Sequence, residues 1–491
     1  MRPAWLTTAT RESPWSELTV LVAGLRRAGF ACADALVALD AAVVAVDQSD
    51  GAIQREHAQV LEILGAVVVL GAAADDTRLL DGMDLVVASP GWRPDSALLV
   101  AAAASGIEVW SDVELAWRVQ SSGARPAWLT VTGTNGKTTT VEMLAAILNA
   151  DGRRTAAVGN VGTPVVEAVM ADPALEVLAV ELSSFQLART DSVAADASAI
   201  VNIAPDHVDW HGGFDAYVAA KARVYHNTST AIVYSVLDPM TEQLAHEAEV
   251  QEGCRGIGVT LGIPDVGMLG VVDGVIVDRA FVPERQTHAA ELAEVSDLAV
   301  TGPHNIIDAL TAAALARAYG VQPRSVRDGL RAFRPGGHRI HEVRTIAGVR
   351  YVDDSKATNP HAARAALMSF ADVVWIAGGL AKGAGFDDLV ADIADRLTAV
   401  VLIGVDRSAL RDALARHAPE VPVIEPDATD TEGMTRDDGA AVMTAAVTAA
   451  AAVAPAGGTV LLAPACASMD QFDDYAARGD AFAAAVLRLP E

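Results

Sequence analysis

Short apolar runs and longer amphipathic stretches alternate along this chain. This order is typical of a mostly parallel sheet whose strands are joined by crossover helices, so we predict an α/β fold. A long helix is also predicted over Thr138–Asn149, and residues 266–278 predict a hairpin that turns at Asp273-Gly274. The predicted strands are Leu18–Val22, Ala42–Val46, Val67–Leu70, Leu85–Ala88, Ala127–Val131, Val177–Val180, Ala199–Val201, Ala231–Tyr234, Arg350–Val352, Val373–Ala377, Ala399–Ile403 and Thr459–Ala463.

The same pattern divides the chain into three segments. A length of 491 residues agrees with about three domains at roughly 100–200 residues each. Ser121-Ser122-Gly123 has the composition of a linker, and Arg334-Pro335-Gly336-Gly337 that of a hinge. We therefore expect domains at residues 1–120, 121–335 and 336–491. The acidic stretch 426–440 predicts a surface loop.

Charge and composition exclude several classes of protein. The formal net charge is −27 and no basic run occurs, which argues against a nucleic-acid partner. The three cysteines show no CxxC spacing, so neither a disulfide framework nor a zinc site is expected. No apolar run approaches a membrane span of about 18 residues, and the first twenty residues lack an apolar signal core. We expect a soluble, cytoplasmic protein without a membrane partner.

The clearest chemical motif follows the predicted strand that ends at Val131 and opens a helix. Glycines there let backbone amides approach phosphate groups, and a helix N-terminus adds partial positive charge. The motif is a shortened loop, G-x-x-G-K-T, because Val131 stands where the longer form has its first glycine. The lysine is expected to reach terminal phosphates and the following threonine to bind Mg²⁺. The predicted ATP-binding residues here are Gly133, Thr134, Asn135, Gly136, Lys137, Thr138 and Thr139.

Further polar residues follow other predicted strands. Glu181 ends an apolar run, where α/β sheets place groups that face ligands, and a carboxylate there suits Mg²⁺. His207 lies in a cluster with two aspartates, and Lys221 lies on a predicted helix. Each also has an ordinary interpretation: a capping or solvated glutamate, a solvated histidine, and a surface lysine.

The third segment carries a second group of charged residues. Asp354 and Lys356 follow a predicted strand, shortly after Arg339. The carboxylate could hold a ribose hydroxyl, and the two cations could neutralise phosphate oxygens in a transition state. Ser468 follows the last predicted strand and could bind a substrate carboxylate. A solvated charged loop is the alternative.

Nine sequence blocks in order resemble the Mur ligases of peptidoglycan synthesis, over nearly the whole chain. They are TGTNGKTT, GNVGTP, ELSSFQL, PDHVDWH, AAKARVY, GPHN, GGHR, DDSKATNP and PACASMDQF. The last two are most similar to the D-glutamate-adding branch. The resemblance implies a Rossmann-like N-terminal domain, a central P-loop ATPase-type domain with a mostly parallel sheet, and a Rossmann-like C-terminal domain.

The resemblance also implies a reaction. ATP would phosphorylate the carboxylate of UDP-N-acetylmuramoyl-L-alanine, and the amine of D-glutamate would attack the acyl phosphate. Phosphorylation is needed because a carboxylate is a poor electrophile at neutral pH. Mg²⁺ would offset the repulsion between the two anions. The implied cofactors are ATP and Mg²⁺, and the implied partners are these small molecules, with a monomer expected.

Residue roles follow from the matched motifs alone. Thr138 and Glu181 would hold a first Mg²⁺, and His207 with Lys221 as a carbamate would hold a second. The residues implied in catalysis are Lys137, His207, Lys221, Arg339 and Lys356, and those implied in ATP binding here are Asn305, Arg339 and Asp354. The residues implied to bind the nucleotide-carried substrate are Asp47, Ser89, Asn160 and Ser183. Those implied to bind D-glutamate are Thr358, Lys382, Ser468 and Tyr475.

Three positions depart from the family pattern. Residues 22–29 lack the usual glycine-serine loop, Asp308 stands where a second asparagine often follows Asn305, and Tyr475 replaces a common phenylalanine. Two alternatives stay open. One is a related ligase that adds L-alanine, a diamino acid or a dipeptide, or that extends folate with glutamate. The other is a nucleotide-binding regulator without catalytic activity.

Overall fold

Three separate β-sheets carry the helices of this protein. The computed structural model describes residues 3–123, 125–300, 302–426 and 439–490. Most of the predicted loop at 426–440 therefore lies outside the described residues. The α/β class is confirmed, and the strands in each sheet are mostly parallel.

The first sheet has five parallel strands in the order β3-β2-β1-β4-β5. Chain order reverses between β1 and β4, which is the point where open α/β sheets bind ligands. The strands are β1 (Thr19–Ala23), β2 (Ala42–Asp47), β3 (Val67–Leu70), β4 (Leu85–Ala88) and β5 (Glu108–Ser111). The helices are α1 (Arg27–Ala38), α2 (Ala52–Ile63), α3 (Ala97–Ala104) and α4 (Asp112–Arg118).

The second sheet has nine strands in the order β14-β13-β12-β11-β10-β9-β6-β8-β7, parallel except at the β12–β13–β14 edge. Every residue of β8 is buried, as expected for a strand that helices cover on both faces. The strands are β6 (Ala127–Thr132), β7 (Thr155–Gly159), β8 (Val177–Glu181), β9 (Ala197–Ile200), β10 (Ala231–Ser235), β11 (Arg255–Val259), β12 (Met268–Val272), β13 (Val275–Asp278) and β14 (Ala290–Glu294).

The helices of this middle region follow the strands in chain order. The longest are α5 and α11, and both pack into one apolar core with the sheet. The helices are α5 (Lys137–Ala150), α6 (Val165–Met170), α7 (Ser184–Leu187), α8 (Val208–His211), α9 (Phe214–Ala222), α10 (Pro239–His246), α11 (Pro303–Ala318) and α12 (Pro323–Ala332).

The third sheet has six strands in the order β15-β16-β20-β17-β18-β19, with β15 antiparallel at its edge. The strands are β15 (His341–Ile346), β16 (Val349–Asp353), β17 (Val373–Gly378), β18 (Leu397–Ile403), β19 (Val423–Ile424) and β20 (Thr459–Leu462). The helices are α13 (Pro360–Leu367), α14 (Asp387–Ile393), α15 (Ser408–His417), α16 (Gly439–Val453) and α17 (Tyr475–Leu487).

The twelve predicted strands all occur, with ends shifted by at most two residues, and the predicted helix and hairpin are confirmed. Strands β5, β7, β11, β14, β15 and β19 were not predicted. Contacts divide the chain into two compact units, Met1–Ile203 with Gly213–Phe333 and Ala204–Gly212 with Arg334–Glu491. None of the helices in the described ranges combines the length and apolarity needed to cross a lipid bilayer.

Candidate active site

The loop between β6 and α5, residues 133–136, is called the phosphate loop here, and it folds around Lys137, the first residue of α5. The ammonium of Lys137 donates to the carbonyl oxygens of Gly133 and Thr134, at 3.0 and 2.9 Å. Gly136 has φ +80°, and a Cβ there would lie 2.2 Å from the carboxylate Oδ1 of Asp308. The loop therefore requires glycine at 136 for both backbone and space, and the carboxylate at 308 borders it.

A side chain that we did not assign to the site closes this loop from the next strand. Asn202 follows β9, and its backbone carbonyl accepts a hydrogen bond from the backbone N–H of Thr134 at 2.9 Å. Its amide makes two further bonds to the backbone of Asn135, at 2.9 and 3.0 Å. The hydroxyl groups of Tyr217 and Thr134 are also 2.8 Å apart. The position of a polar residue directly after the predicted strand Ala199–Val201 was the available signal for Asn202.

Lys221 is buried beneath the loop, with 2% of its surface exposed. It lies in the last turn of α9, and its ammonium donates to the carbonyl of Gly133 at 2.6 Å and to the hydroxyl of Thr132 at 3.4 Å. The nitrogen also lies 4.9 Å from the ring centre of Tyr217. The surface-lysine interpretation is therefore wrong, because α9 directs this side chain at the phosphate loop.

Glu181 ends β8 and is 1% exposed, so the solvated interpretation is wrong as well. Strand register pairs it with Val131, immediately before the loop. One carboxylate oxygen accepts from the side-chain amide of Asn160 at 2.8 Å. The other, Oε2, is buried and has no hydrogen-bond partner among the described residues. A buried carboxylate oxygen left unpaired is costly, and a bound cation would remove that cost.

The donor set fits magnesium. Thr138 is buried in the first turn of α5, and its hydroxyl with the carboxylate of Glu181 would supply oxygen ligands beside the loop. Within the described ranges, no group of three or more histidine, cysteine or acidic side chains converges on one point. Magnesium suits such a sparse set because it keeps several waters and binds substrate phosphates together with one or two carboxylates.

Two further predicted residues lie in this region, Ser183 at the start of α7 and Asn305 in α11. Ser183 caps α7, and its hydroxyl and backbone N–H both pair with the side chain of Gln186. Asn305 lies in the first turn of α11, one turn before Asp308 and on the same face of the helix. Because Asp308 borders Gly136, this face of α11 is directed at the phosphate loop.

His207 belongs to the second unit with the rest of 204–212. Its backbone has φ +52°, and it begins α8. Its ring nitrogen Nε2 lies 3.6 Å from the carboxylate of Asp206. The predicted role of His207 at a second metal remains a prediction.

The turn after β1 brings together the predicted nucleotide contacts of the first sheet. Asp47, at the end of β2, accepts from the backbone N–H groups of Leu25 and Ser49, at 2.6 and 2.8 Å. Gly24 has φ +101°, and a Cβ there would lie 2.8 Å from the side chain of Ser89. Asp47 and Ser89 therefore border one tight turn at the point where the strand order reverses.

Three loops meet at the carboxyl ends of β16, β20 and β17. The N–H of Ala465 donates to the carbonyl of Ala357 at 2.9 Å, and Leu380 and Ala467 form a two-way bridge. These bonds join the loops that carry the predicted D-glutamate residues. Those residues are Thr358 on the first loop, Lys382 on the second and Ser468 on the third.

Two buried carboxyl groups lie where β16 passes into the first of these loops, Asp353 at the end of the strand and Asp354 at the start of the loop. Burial raises the pKa of Asp354 to about 7, and the negative charge of Asp353 acts in the same direction. The N–H of Ile340 and the positive charge of Arg339 oppose this rise. Asp353 pairs with Nδ1 of His338 at 2.7 Å. The GGHR block therefore packs against the DDSK block, and Asp354 is poised to titrate near neutral pH.

An arginine that we did not assign to the site ties these loops together. Arg478, on α17, is 1% exposed. Its guanidinium donates to the hydroxyl and carbonyl of Ser355, at 3.0 and 2.9 Å, and to the carbonyl of Cys466 at 3.1 Å. On the same helix, the ring of Tyr475 lies 3.9 Å from the ammonium of Lys356. An alanine-rich helix gave no signal that its arginine would be buried.

Sequence families agree with this arrangement. The Mur ligase middle domain family matches residues 131–316, and the Mur ligase, glutamate ligase domain family matches residues 338–466. Among solved structures, a murein peptide ligase from Psychrobacter arcticus has a TM-score of 0.56 at 16% identity, covering 96% of this chain and 100% of that one. A UDP-N-acetylmuramate-alanine ligase from Thermotoga maritima has a TM-score of 0.55 at 17% identity, covering 96% and 99%. These two likenesses concern the fold alone.

Two named sequences are much more similar. The UDP-N-acetylmuramoylalanine–D-glutamate ligase of Streptomyces avermitilis is 56% identical over 96% of this chain and 98% of its own length. The enzyme of the same name from Streptomyces coelicolor is 54% identical over 97% and 99%. With both family domains matched, and with identity at this level over almost the whole length, the chain belongs to the Mur ligase family.

Proposed function

We propose that this protein joins D-glutamate to UDP-N-acetylmuramoyl-L-alanine, with ATP converted to ADP and phosphate, in cytoplasmic synthesis of peptidoglycan precursors. The observation that carries the proposal is the 56% identity, over 98% of its length, to a ligase named for this reaction. We further propose that it acts as a monomer.

The phosphate loop supports an ATP-dependent reaction. Lys137 and the N-terminus of α5 would hold the terminal phosphates, and Asn202 keeps the loop in shape through three hydrogen bonds. Thr138 and Glu181 would hold Mg²⁺, which supplies charge neutralisation between the two anionic reactants. The unpaired oxygen of Glu181 supports this assignment.

The loops of the third sheet support recognition of an amino acid. Thr358, Lys382 and Ser468 lie on three loops, and the loop that carries Ser468 is hydrogen-bonded to each of the other two. A lysine and two hydroxyl groups can bind the carboxylates of glutamate through charge-assisted hydrogen bonds. We assign Tyr475 to the same pocket, and Arg339, Asp354 and Lys356 to ATP, on the strength of their family motifs. Those motifs also assign Asn305 to ATP, and Asp47, Ser89, Asn160 and Ser183 to the nucleotide-carried substrate.

The test is ATP-dependent phosphate release with UDP-N-acetylmuramoyl-L-alanine and Mg²⁺, comparing four amino acids. D-Glutamate should support release, whereas L-glutamate, L-alanine and diaminopimelate should not. Release with a different amino acid would retain the ligase chemistry but refute the assigned specificity. Absence of release with all four would favour the regulator without catalytic activity. A Lys137→Ala variant should release no phosphate and serves as the negative control.

A further inference from the structure

An open cavity of about 550 Å³ lies at the C-terminal end of α11, on the middle sheet. Three arginines line it, at positions 255, 285 and 317, together with Phe281, Gly320 and Gln322. It is separate from the phosphate loop, because Arg317 lies nine residues along α11 from Asp308, which is about 13 Å of helix. Three guanidinium groups around one cavity stand out in a chain whose net charge is −27.

One of these arginines is neutralised within the fold. Nε of Arg317 pairs with the carboxylate of Asp278 at 2.9 Å, and Asp278 is fully buried. The same guanidinium donates to the carbonyl of Val321 at 2.6 Å. Three of the last four carbonyls of α11 accept backbone N–H groups: residue 315 from residue 319, residue 316 from residue 321, and residue 317 from residue 320. Arg317 therefore forms the wall of the cavity and is not its ligand group.

In the other two arginines, Arg255 and Arg285, most guanidinium N–H groups make no hydrogen bond within the described residues. Arg255 is half-buried, with its guanidinium carbon 4.7 Å from the ring centre of Phe281 and one bond to the carbonyl of Ala280 at 3.0 Å. Arg285 is also half-buried and, in the part of the chain that the structure describes, makes no hydrogen bond or ion pair. Its neighbour Glu284 is exposed and lies 3.3 Å from Nδ1 of His288.

These two cations repel each other. Burial lowers the pKa of Arg255, and the positive charge of Arg285 lowers it further, against the partial compensation of Asp278. Such a pair is stabilised when an anion binds between its members. A guanidinium presents its N–H donors in a planar fork that matches two oxygens of a phosphoryl group.

We propose that this cavity is a binding site for a small phosphoryl anion of the pyrophosphate type, held by the guanidinium groups of Arg255 and Arg285. A cavity of this volume lies within the range of small-molecule sites, about 300–1,000 Å³. The open fork of Arg285 and the remaining donors of Arg255 would contact the oxygens, while Arg317 and Asp278 hold the wall. The site is independent of the proposed ligase reaction.

The test is equilibrium dialysis of the full chain against radiolabelled pyrophosphate, with a chelator present to remove divalent cations from the phosphate loop. The variants are Arg285→Gln, Lys137→Gln to disable that loop, and Arg416→Gln as the matched control. Arg416 is an exposed arginine that pairs with Asp387 in the other unit. One saturable site should persist in Lys137→Gln and Arg416→Gln, and its Kd should rise at least about tenfold in Arg285→Gln, the equivalent of one lost charged contact.

A second measurement does not depend on a variant. Phenylglyoxal should modify Arg285, and pyrophosphate should protect it, as read by peptide mass spectrometry with Arg416 as the unprotected reference. Binding that disappears in Lys137→Gln but is unchanged in Arg285→Gln would refute the site. Displacement of pyrophosphate by citrate more readily than by phosphate would refute the phosphoryl class and indicate a carboxylate ligand.

Discussion

Lys137 and Lys221 donate hydrogen bonds to the same carbonyl oxygen, that of Gly133, at 3.0 and 2.6 Å. They come from different helices, α5 and α9, and meet at the first residue of the phosphate loop. Two ammonium groups this close repel each other unless an anion or a change of charge intervenes. Bound phosphate would relieve that repulsion, and so would conversion of Lys221 to a carbamate, which would turn the like-charged pair into an ion pair.

We expect the Lys221→Ala variant to lose phosphate release by about 100-fold, as for other removed electrostatic groups, and a short carboxylic acid such as acetate to restore part of it. The acid would occupy the space of the missing side chain and supply the carboxylate that the carbamate provides. The measurement is initial rate against acetate concentration, with circular dichroism to verify folding.

Lys221→Arg is the matched control for this experiment. Arginine keeps the positive charge but fills the space, so we expect neither activity nor rescue. Full activity in Lys221→Arg would mean that the position needs only a cation. A folded Lys221→Ala protein that no acid rescues would also contradict the carbamate.

The unpaired oxygen of Glu181 leads to a prediction for magnesium. Glu181→Gln should raise the Mg²⁺ concentration for half-maximal phosphate release by about 10–100-fold, because it removes the charge from the pair of ligands proposed for the first Mg²⁺, Thr138 and Glu181. Mn²⁺ titration followed by electron paramagnetic resonance, in the presence of ADP, reads the binding directly. Asn160→Ser, which removes only the bond to the other oxygen of Glu181, should have a smaller effect. Equal Mn²⁺ affinity in wild type and Glu181→Gln would exclude the assignment.

The raised pKa of Asp354 predicts a pH dependence of stability. Its pKa in the folded protein is about 7, above its value in the unfolded chain, so the folded state binds more protons between about pH 4 and pH 7. Stability from this group is fully present below pH 4 and is lost as the pH rises to 7. Asp354→Asn cannot ionise and should escape that loss.

The measurement is urea unfolding of wild type and Asp354→Asn from pH 4 to pH 8. The free energy of unfolding of the variant should increasingly exceed that of wild type as the pH rises across this range. The difference should reach a few kcal/mol at most above pH 7. Asp112→Asn is a useful comparison, because burial raises the pKa of Asp112 to about 6. The difference in the free energy of unfolding between Asp112→Asn and wild type should level off about one pH unit lower than the difference for Asp354→Asn. A pH-independent difference for Asp354→Asn would show that this carboxyl does not titrate as stated.

Arg478 is predicted to be a positioning residue for the amino-acid loops. Arg478→Met leaves the carbonyls of Ser355 and Cys466 buried without their donor, so we expect a loss of about 2–4 kcal/mol in the free energy of unfolding. Where the variant folds, KM for D-glutamate should rise more than kcat falls, since the loops that bind the amino acid lose their common support.

Arg478→Lys separates charge from geometry. A lysine cannot make the three bonds of the planar guanidinium, so it should recover little of the loss in KM. Arg488→Met, at the exposed end of the same helix, is the control and should resemble wild type. An unchanged KM in Arg478→Lys would refute the positioning role.

Much of the fold could be predicted because local pattern and global structure agree. The central strands read as continuous apolar runs, and β8 is buried at every residue. The missed strands lie at or near sheet edges or carry weak patterns, such as β15, His341–Ile346, where most residues stay accessible. There the pairing partner decides the conformation more than the residues do.

For the site, the sequence by itself determined which residue types were available and where each followed a strand. The phosphate loop and the acidic residue at the end of β8 could be predicted, because a glycine turn and a carboxylate at the end of a strand both have local sequence signatures. Only the tertiary structure decided that Lys221 is buried against Gly133 and that Asn202 closes the phosphate loop. It also decided that Arg478 joins the two loops that carry Ser355 and Cys466. Those contacts link residues 88, 67 and 123 positions apart. No local pattern encodes such pairings, because they exist only after the strands have been brought side by side.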